Sequence, residues 1–215
     1  MVTMKKRSRV YESIAREHLR ENRQMLFMSG PRQVGKTTIA RLVADHYLDW
    51  DNRNHQQLFL AGPDAVAEKC QLAVPKKELP VLVFDELHKF PRWKRFLKGF
   101  FDTYEETCRI LVTGSARLDV YRRGGDSLMG RYFPYRIHPF SVAELCGKVA
   151  PGDLITEPVS VARAQWAALL QYGGFPEPML KREERFSTRW QVLRKERLFR
   201  EDLRDLTRVQ ELSLL

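Results

Sequence analysis

The sequence predicts an α/β fold: a parallel five-stranded sheet sandwiched by helices, followed by a small C-terminal helical lid. Three observations carry this reading. Apolar runs of strand length recur at residues 25–29, 80–86 and 109–115, and unbroken apolar runs are what strands buried on both faces require. Helix-period segments alternate with these runs at residues 9–23, 39–47 and 93–105, the order that builds a parallel sheet. Two further strands fit at residues 47–51 and, after a turn, within residues 127–140.

The first strand runs into Gly30, Pro31, Arg32, Gln33, Val34, Gly35, Lys36, Thr37 and Thr38. This fits G-x-x-x-x-G-K-[ST] with a strand before it and a helix after it, the setting in which that pattern is a phosphate-binding P-loop. Gly30 and Gly35 permit backbone angles that let successive N–H groups curl around phosphate oxygens. The following helix N-terminus adds partial positive charge. Lys36 has the reach for β- and γ-phosphates, and the Thr37 hydroxyl suits the shell of a Mg²⁺ ion.

The third strand ends in Asp85 and Glu86, at the carboxyl end where α/β sheets place their ligands. In this position Asp85 suits a magnesium carboxylate, and Glu86 suits a base that orients and deprotonates an attacking water. The fourth strand ends in hydroxyls, with Thr113 and Ser115 placed to hydrogen-bond that water or the γ-phosphate from beside Glu86. The chemistry expected is Mg²⁺-dependent attack of water on a nucleotide γ-phosphate. Small-molecule phosphotransfer fits less well, because Asp85 and Glu86 suit water activation and no acceptor pocket is identifiable.

The remainder of the chain frames this site. Residues 9–23 form an amphipathic helix with Val10, Ile14, Ala15, His18 and Leu19 on one side. Residues 56–60 and 64–72 read as helical patches, and 76–80 as a polar surface loop. The helix at 93–105 carries Trp93, Phe96, Leu97, Phe100, Phe101 and Tyr104 on an apolar face and Arg92, Lys94, Arg95 and Lys98 on a basic one. After a glycine-rich loop at 122–126, Ser141 caps a short helix at 142–146. Residues 147–158 look like a linker, dividing a core at 1–150 from a helical region at 159–215. That region has a helix at 161–172, a break at 173–178 and a long charged helix at 185–206.

Composition narrows the setting. Three scattered cysteines, Cys70, Cys108 and Cys146, have no metal-ligand spacing, which suits reduced thiols in a cytoplasmic protein. No 18-residue apolar span is present, so no membrane helix is expected. The net charge is +10. Part of it is concentrated in residues 1–23, with seven Lys/Arg against three Glu, and in 181–208, with ten against six acidic residues. Such a surface suits a nucleic acid or another acidic partner, although no known nucleic-acid reading module is visible. The charge makes a DNA-dependent ATPase one alternative reading, and the absence of an obvious substrate-binding loop makes a nucleotide-gated switch or scaffold with little turnover another.

The order of these motifs resembles the AAA+ ATPase superfamily. More narrowly, it is similar to bacterial and archaeal predicted ATPases that pair an AAA-type domain with a C-terminal domain of uncharacterised function. The resemblance rests on Ser29–Thr38, Phe84–Lys89 and Val112–Ser115, on Leu128–Arg131 with His138–Leu145, and on Gly173–Glu177. It implies ATP as the nucleotide; no N-K-x-D base-reading motif occurs in the sequence. It also implies Lys36 and Thr37 as the P-loop pair, Asp85 as magnesium carboxylate, Glu86 as base, and Thr113 and Ser115 in the sensor region. Arg131 lies where many members carry an arginine that reaches a neighbouring subunit's γ-phosphate, which implies a homo-oligomer. Lys181 and Arg182 are candidates for the lid arginine. Members of that narrower group continue well beyond a segment like Arg200–Leu206, so the expectation is that the second domain is truncated or absent.

Overall fold

The computed structural model of this protein describes residues 9–114, 128–147, 158 and 160–198. Helix α1 (Val10–Glu21) precedes strand β1 (Met25–Ser29), and α2 (Lys36–Val43) follows the glycine loop. Then come β2 (His46–Asp49), α3 (Arg53–Ala61), α4 (Pro63–Lys69) and β3 (Val81–Asp85). A 3₁₀ turn at Leu87–Lys89 leads to α5 (Trp93–Tyr104), β4 (Arg109–Thr113) and β5 (Tyr132–Arg136).

The five strands form one sheet in the order β2-β3-β4-β1-β5, and every neighbouring pair is parallel. This order determines the chemistry at the carboxyl edge. β4 lies between β1, which feeds the glycine loop, and β3, which ends in Asp85. Thr113 at the end of β4 is therefore bracketed by the two halves of the expected site.

The two faces of the sheet are buried differently. Phe59 on α3, Phe84 on β3, and Phe96 and Phe100 on α5 meet in one cluster. Phe84 stands edge-on to Phe59 and to Phe100 at centroid separations of 5.6 and 5.4 Å, a geometry that aromatic rings favour. Leu26, Met28, Val83 and Leu111, the alternate residues of the same strands, are also buried. They lie on the face covered by α2 and α1, because successive strand side chains point to opposite faces.

The end of α2 is one boundary that the structure moves. α2 ends at Val43 rather than near Tyr47. The reason is pairing with β3: the Asp45 N–H donates to the Val81 carbonyl at 3.0 Å, and the Val81 N–H donates to Asp45 Oδ2 at 2.8 Å. Strand geometry has thus begun by His46, one residue before the expected strand.

Residues from Ser8 to Ile137 make one compact unit, and the chain from His138 onward belongs to another. The division falls earlier than the linker expected near residue 150. In the second unit, α6 (Val142–Cys146), α7 (Arg163–Tyr172), α8 (Pro176–Lys181) and α9 (Glu184–Arg197) are the described helices. Phe140, Leu145, Ala168 and Met179 form its small core, which draws residues 138–147 to the later helices. Gly174 sits so close to the Phe140 carbonyl oxygen that a Cβ would lie 2.8 Å from it, while the Phe140 N–H donates to the Gly174 carbonyl at 2.7 Å. The expected break at 173–178 contains the start of α8. Pro176 and Pro178 occupy its first turn, where a missing N–H costs no intrahelical bond. Ser141 caps α6 in a full capping box with Glu144. The glycine-rich loop at 122–126, Ser115, most of the 147–158 linker and the tail of the helix expected at 185–206 lie outside the described residues.

Candidate active site

The loop between β1 and α2 is a backbone cradle. Gly30 has φ 146°, and a Cβ there would lie 2.5 Å from the Ile137 carbonyl oxygen, so only glycine fits. Gln33 at φ 63° and Gly35 at φ 102° turn the chain back toward α2. Pro31 and Arg32 are half-buried, Val34 is buried, and Gln33, Thr37 and Thr38 are exposed. The Lys36 ammonium is buried and donates to the carbonyls of Gly30 at 2.8 Å and Pro31 at 2.9 Å. Arg9, the residue before α1, donates through Nη1 to the Val34 carbonyl at 2.9 Å and fixes the loop from behind.

Asp85 is buried at the end of β3 and collects hydroxyl groups from three other segments. Thr37 Oγ1 donates to its Oδ2 at 3.0 Å. The Tyr47 hydroxyl donates to the same oxygen, and Thr113 Oγ1 donates to Oδ1. The strand register explains the meeting. Asp49 pairs with Asp85 and Val83 with Leu111, so Asp49, Asp85 and Thr113 lie in one row across the carboxyl edge. Tyr47, two residues before Asp49, stands on the same face and reaches Asp85 along the diagonal.

Glu86 follows with φ 54° and heads the 3₁₀ turn. Its Oε2 lies 3.3 Å from Lys89 Nζ and 3.8 Å from His88 Nε2. Lys89 makes its shorter contacts with Asp51, at 2.6 and 2.8 Å. Burial pulls the Lys89 ammonium down, but Asp51 and Glu86 outweigh it and hold it above its ordinary range. Burial pushes the Asp49 carboxyl up, and Asp85, Asp51 and Glu86 add to this against the Asp51 N–H that it accepts. The carboxyl edge of β2 and β3 is therefore an acidic surface with Lys89 as counter-ion.

The predicted residues separate into two groups. Gly30 to Thr38, Asp85, Glu86 and Thr113 gather at the carboxyl end of the sheet. Arg131 does not join them. Its carbonyl accepts from the Met25 N–H at 2.8 Å, at the start of β1, which puts it roughly 16 Å of strand away from Gly30. Its guanidinium grips both oxygens of Asp102, at 2.6 and 2.9 Å, within the same chain. In the second unit, Lys181 pairs with Glu183 at 3.3 Å and lies over the Phe186 ring, while Arg182 closes α8 in a left-handed conformation.

The residues present suit a magnesium nucleotide. Thr37 and Asp85 touch, so the hydroxyl and the carboxylate that would share one ion are already adjacent. Among the described residues no three His, Cys, Asp or Glu side chains converge as a protein cage for a metal. Magnesium completes such a shell with phosphate oxygens and water.

This parallel sheet, with a glycine cradle at β1 and a buried acid at β3, defines the protein as a P-loop nucleotide-binding fold. A family model described as "AAA domain" matches residues 22–146, more than half of the chain. The chain belongs to that family, and the AAA+ assignment expected from its motifs holds. Among solved structures, PCH-2 from C. elegans is similar with TM-score 0.44 and 15% identity, over 64% of this chain and 43% of that one. The chain thus spans less than half of that structure's length. The comparison with curated proteins finds no match. Among the described residues no helix is long and apolar enough to cross a membrane.

Proposed function

We propose that this AAA-family chain binds ATP with Mg²⁺ in the Gly30–Thr38 loop and hydrolyses it to ADP and phosphate. The observation that carries the proposal is the convergence of Thr37 and Thr113 on the buried Asp85, beside Glu86. Bound Mg²⁺ supplies charge neutralisation of the phosphate oxygens. Asp85 and Thr37 hold it, and the Lys36 ammonium exchanges the Gly30 and Pro31 carbonyls for phosphate oxygens. The Glu86 carboxylate orients water and takes its proton. Thr113 is buried with its one hydroxyl proton on Asp85 Oδ1, so it steadies the magnesium carboxylate rather than the γ-phosphate, and Ser115 in the sensor region hydrogen-bonds at the γ-phosphate. Arg131 lies at the opposite end of the sheet from its own cradle, a position that supports a role in trans on the nucleotide of a neighbouring copy.

Nucleotide binding and phosphate release on two variants test this reading. Lys36→Ala abolishes tight ATP binding. Glu86→Gln keeps ATP bound while phosphate release falls at least about a hundredfold. Release at the wild-type rate from Glu86→Gln would remove Glu86 as the base.

A second reading, a nucleotide-gated switch with slow turnover, is favoured by one contact. The Glu86 carboxylate is engaged by Lys89 at 3.3 Å, and Lys89 also holds Asp51 at 2.6 Å. Size-exclusion profiles with and without ATP, run beside phosphate release, separate the two. A change of assembly without turnover supports the switch.

A further inference from the structure

Tyr47 belongs to no motif of the site, and the sequence marks it only as the start of a short strand. Its hydroxyl nonetheless donates to Asp85 Oδ2, the oxygen that also accepts from Thr37. Oδ1 accepts from Thr113. A carboxylate offers roughly four lone-pair sites; three hydroxyls occupy three of them, which leaves one direction for a metal ion or its water. The carboxylate torsion of aspartate is otherwise broad and soft. Tyr47 itself is clamped from the other side, with the Arg41 guanidinium of α2 4.8 Å from its ring centroid. One side chain on β2 thus links the acid of β3 to the helix that carries Lys36 and Thr37.

We propose that Tyr47 is a positioning residue for the metal: by fixing Oδ2 of Asp85 it raises affinity for the magnesium-bound nucleotide and leaves the phosphate cradle unaffected. The proposal rests on the reading of Asp85 as the magnesium carboxylate. Partners that orient a metal's ligands typically contribute a tenfold or larger share of metal affinity.

The test uses the full chain and ADP, whose affinity is measured by titration in MgCl₂ and in EDTA. Tyr47→Phe removes one oxygen and retains the ring beneath Arg41. The ratio of the two ADP affinities is expected to fall about tenfold, with affinity in EDTA unchanged. A wild-type ratio in Tyr47→Phe overturns the proposal, as does a loss of ADP affinity equal in both buffers. Asp85→Asn, measured in parallel, separates the two levels. If Asp85→Asn loses the magnesium advantage while Tyr47→Phe keeps it, only the role of Tyr47 falls. If Asp85→Asn keeps it, the magnesium reading of Asp85 falls and the role of Tyr47 with it.

Discussion

Asp85 and His18 show how single buried polar groups are managed in this protein. Asp85 accepts hydrogen bonds from the hydroxyls of Thr37, Tyr47 and Thr113. His18, on the inner face of α1, lies between the Gln24 carbonyl at 2.9 Å and the Tyr135 hydroxyl at 3.3 Å. Phe133 and Tyr135 present ring edges to it. Burial lowers its pKa below the usual 6.5, against the hydrogen bond to Gln24, which raises it. The unfolded chain therefore takes up a proton more readily than the folded one as pH falls through 6.5. Stability from this group is complete above that pH and declines below it, toward the lowered folded value. Urea midpoints at pH 7.5 and 5.5 should differ more for the wild type than for His18→Gln; equal differences would remove His18 as the source. At this scale the sequence was readable wherever chemistry and spacing coincide, as in Gly30, Lys36, Thr37, Asp85 and Glu86. Tyr47 and Arg9 left no such trace. Tyr47 reaches Asp85 only through the β2–β3 register, and Arg9 reaches Val34 from 25 positions away.

Among the elements, α5 was the most legible and α8 the least. Trp93, Phe96, Leu97, Phe100 and Phe101 recur at helical spacing, and all five are buried against the sheet. Phe100 is fully buried and contacts Phe84, Phe96 and Tyr104 with centroids 5.0–5.8 Å away. Phe100→Ala should cost about 3–5 kcal/mol of unfolding free energy by leaving a cavity among rings that cannot close it. Denaturant unfolding checks this, and a loss under about 1 kcal/mol would mean that the cluster collapses around the gap. α8 escaped notice because its Gly-Gly-Phe-Pro-Glu-Pro opening is rich in turn residues. The same prolines are harmless in a first turn. The early end of α2 has a similar cause: hydrogen bonds between Asp45 and Val81 across the sheet override helical spacing that continues to His46.

On the scale of the whole sheet, the two ends carry different chemistry. The carboxyl end gathers the cradle, Asp85, Glu86 and Thr113, whereas the opposite end carries Arg131 in its pair with Asp102 and Arg23 in its pair with Glu105. No motion within one sheet brings Arg131 to its own cradle, and this gives the proposed role in trans a sharp test. Arg131→Ala should bind ATP as the wild type does while turnover falls by about a thousandfold. Mixing it with Lys36→Ala should restore part of that turnover, because each variant supplies what the other lacks. Unchanged turnover in Arg131→Ala would leave the residue with its Asp102 pair alone. The fold class was legible from apolar runs, whereas the strand order and the place of Arg131 depended on which strands pair and on which end of β1 the last strand begins beside. The contact between Arg9 and the Val34 carbonyl bears on where this domain should be considered to start. Family similarity opens at residue 22, downstream of α1 and of the arginine that braces the loop. A protein trimmed to the matched region would retain Gly30–Thr38, Asp85, Glu86 and Thr113, yet it would lose that brace and uncover the strand face beneath Ala15 and Leu19. The smallest stretch that looks like the family is therefore shorter than the smallest stretch that can hold the cradle in shape.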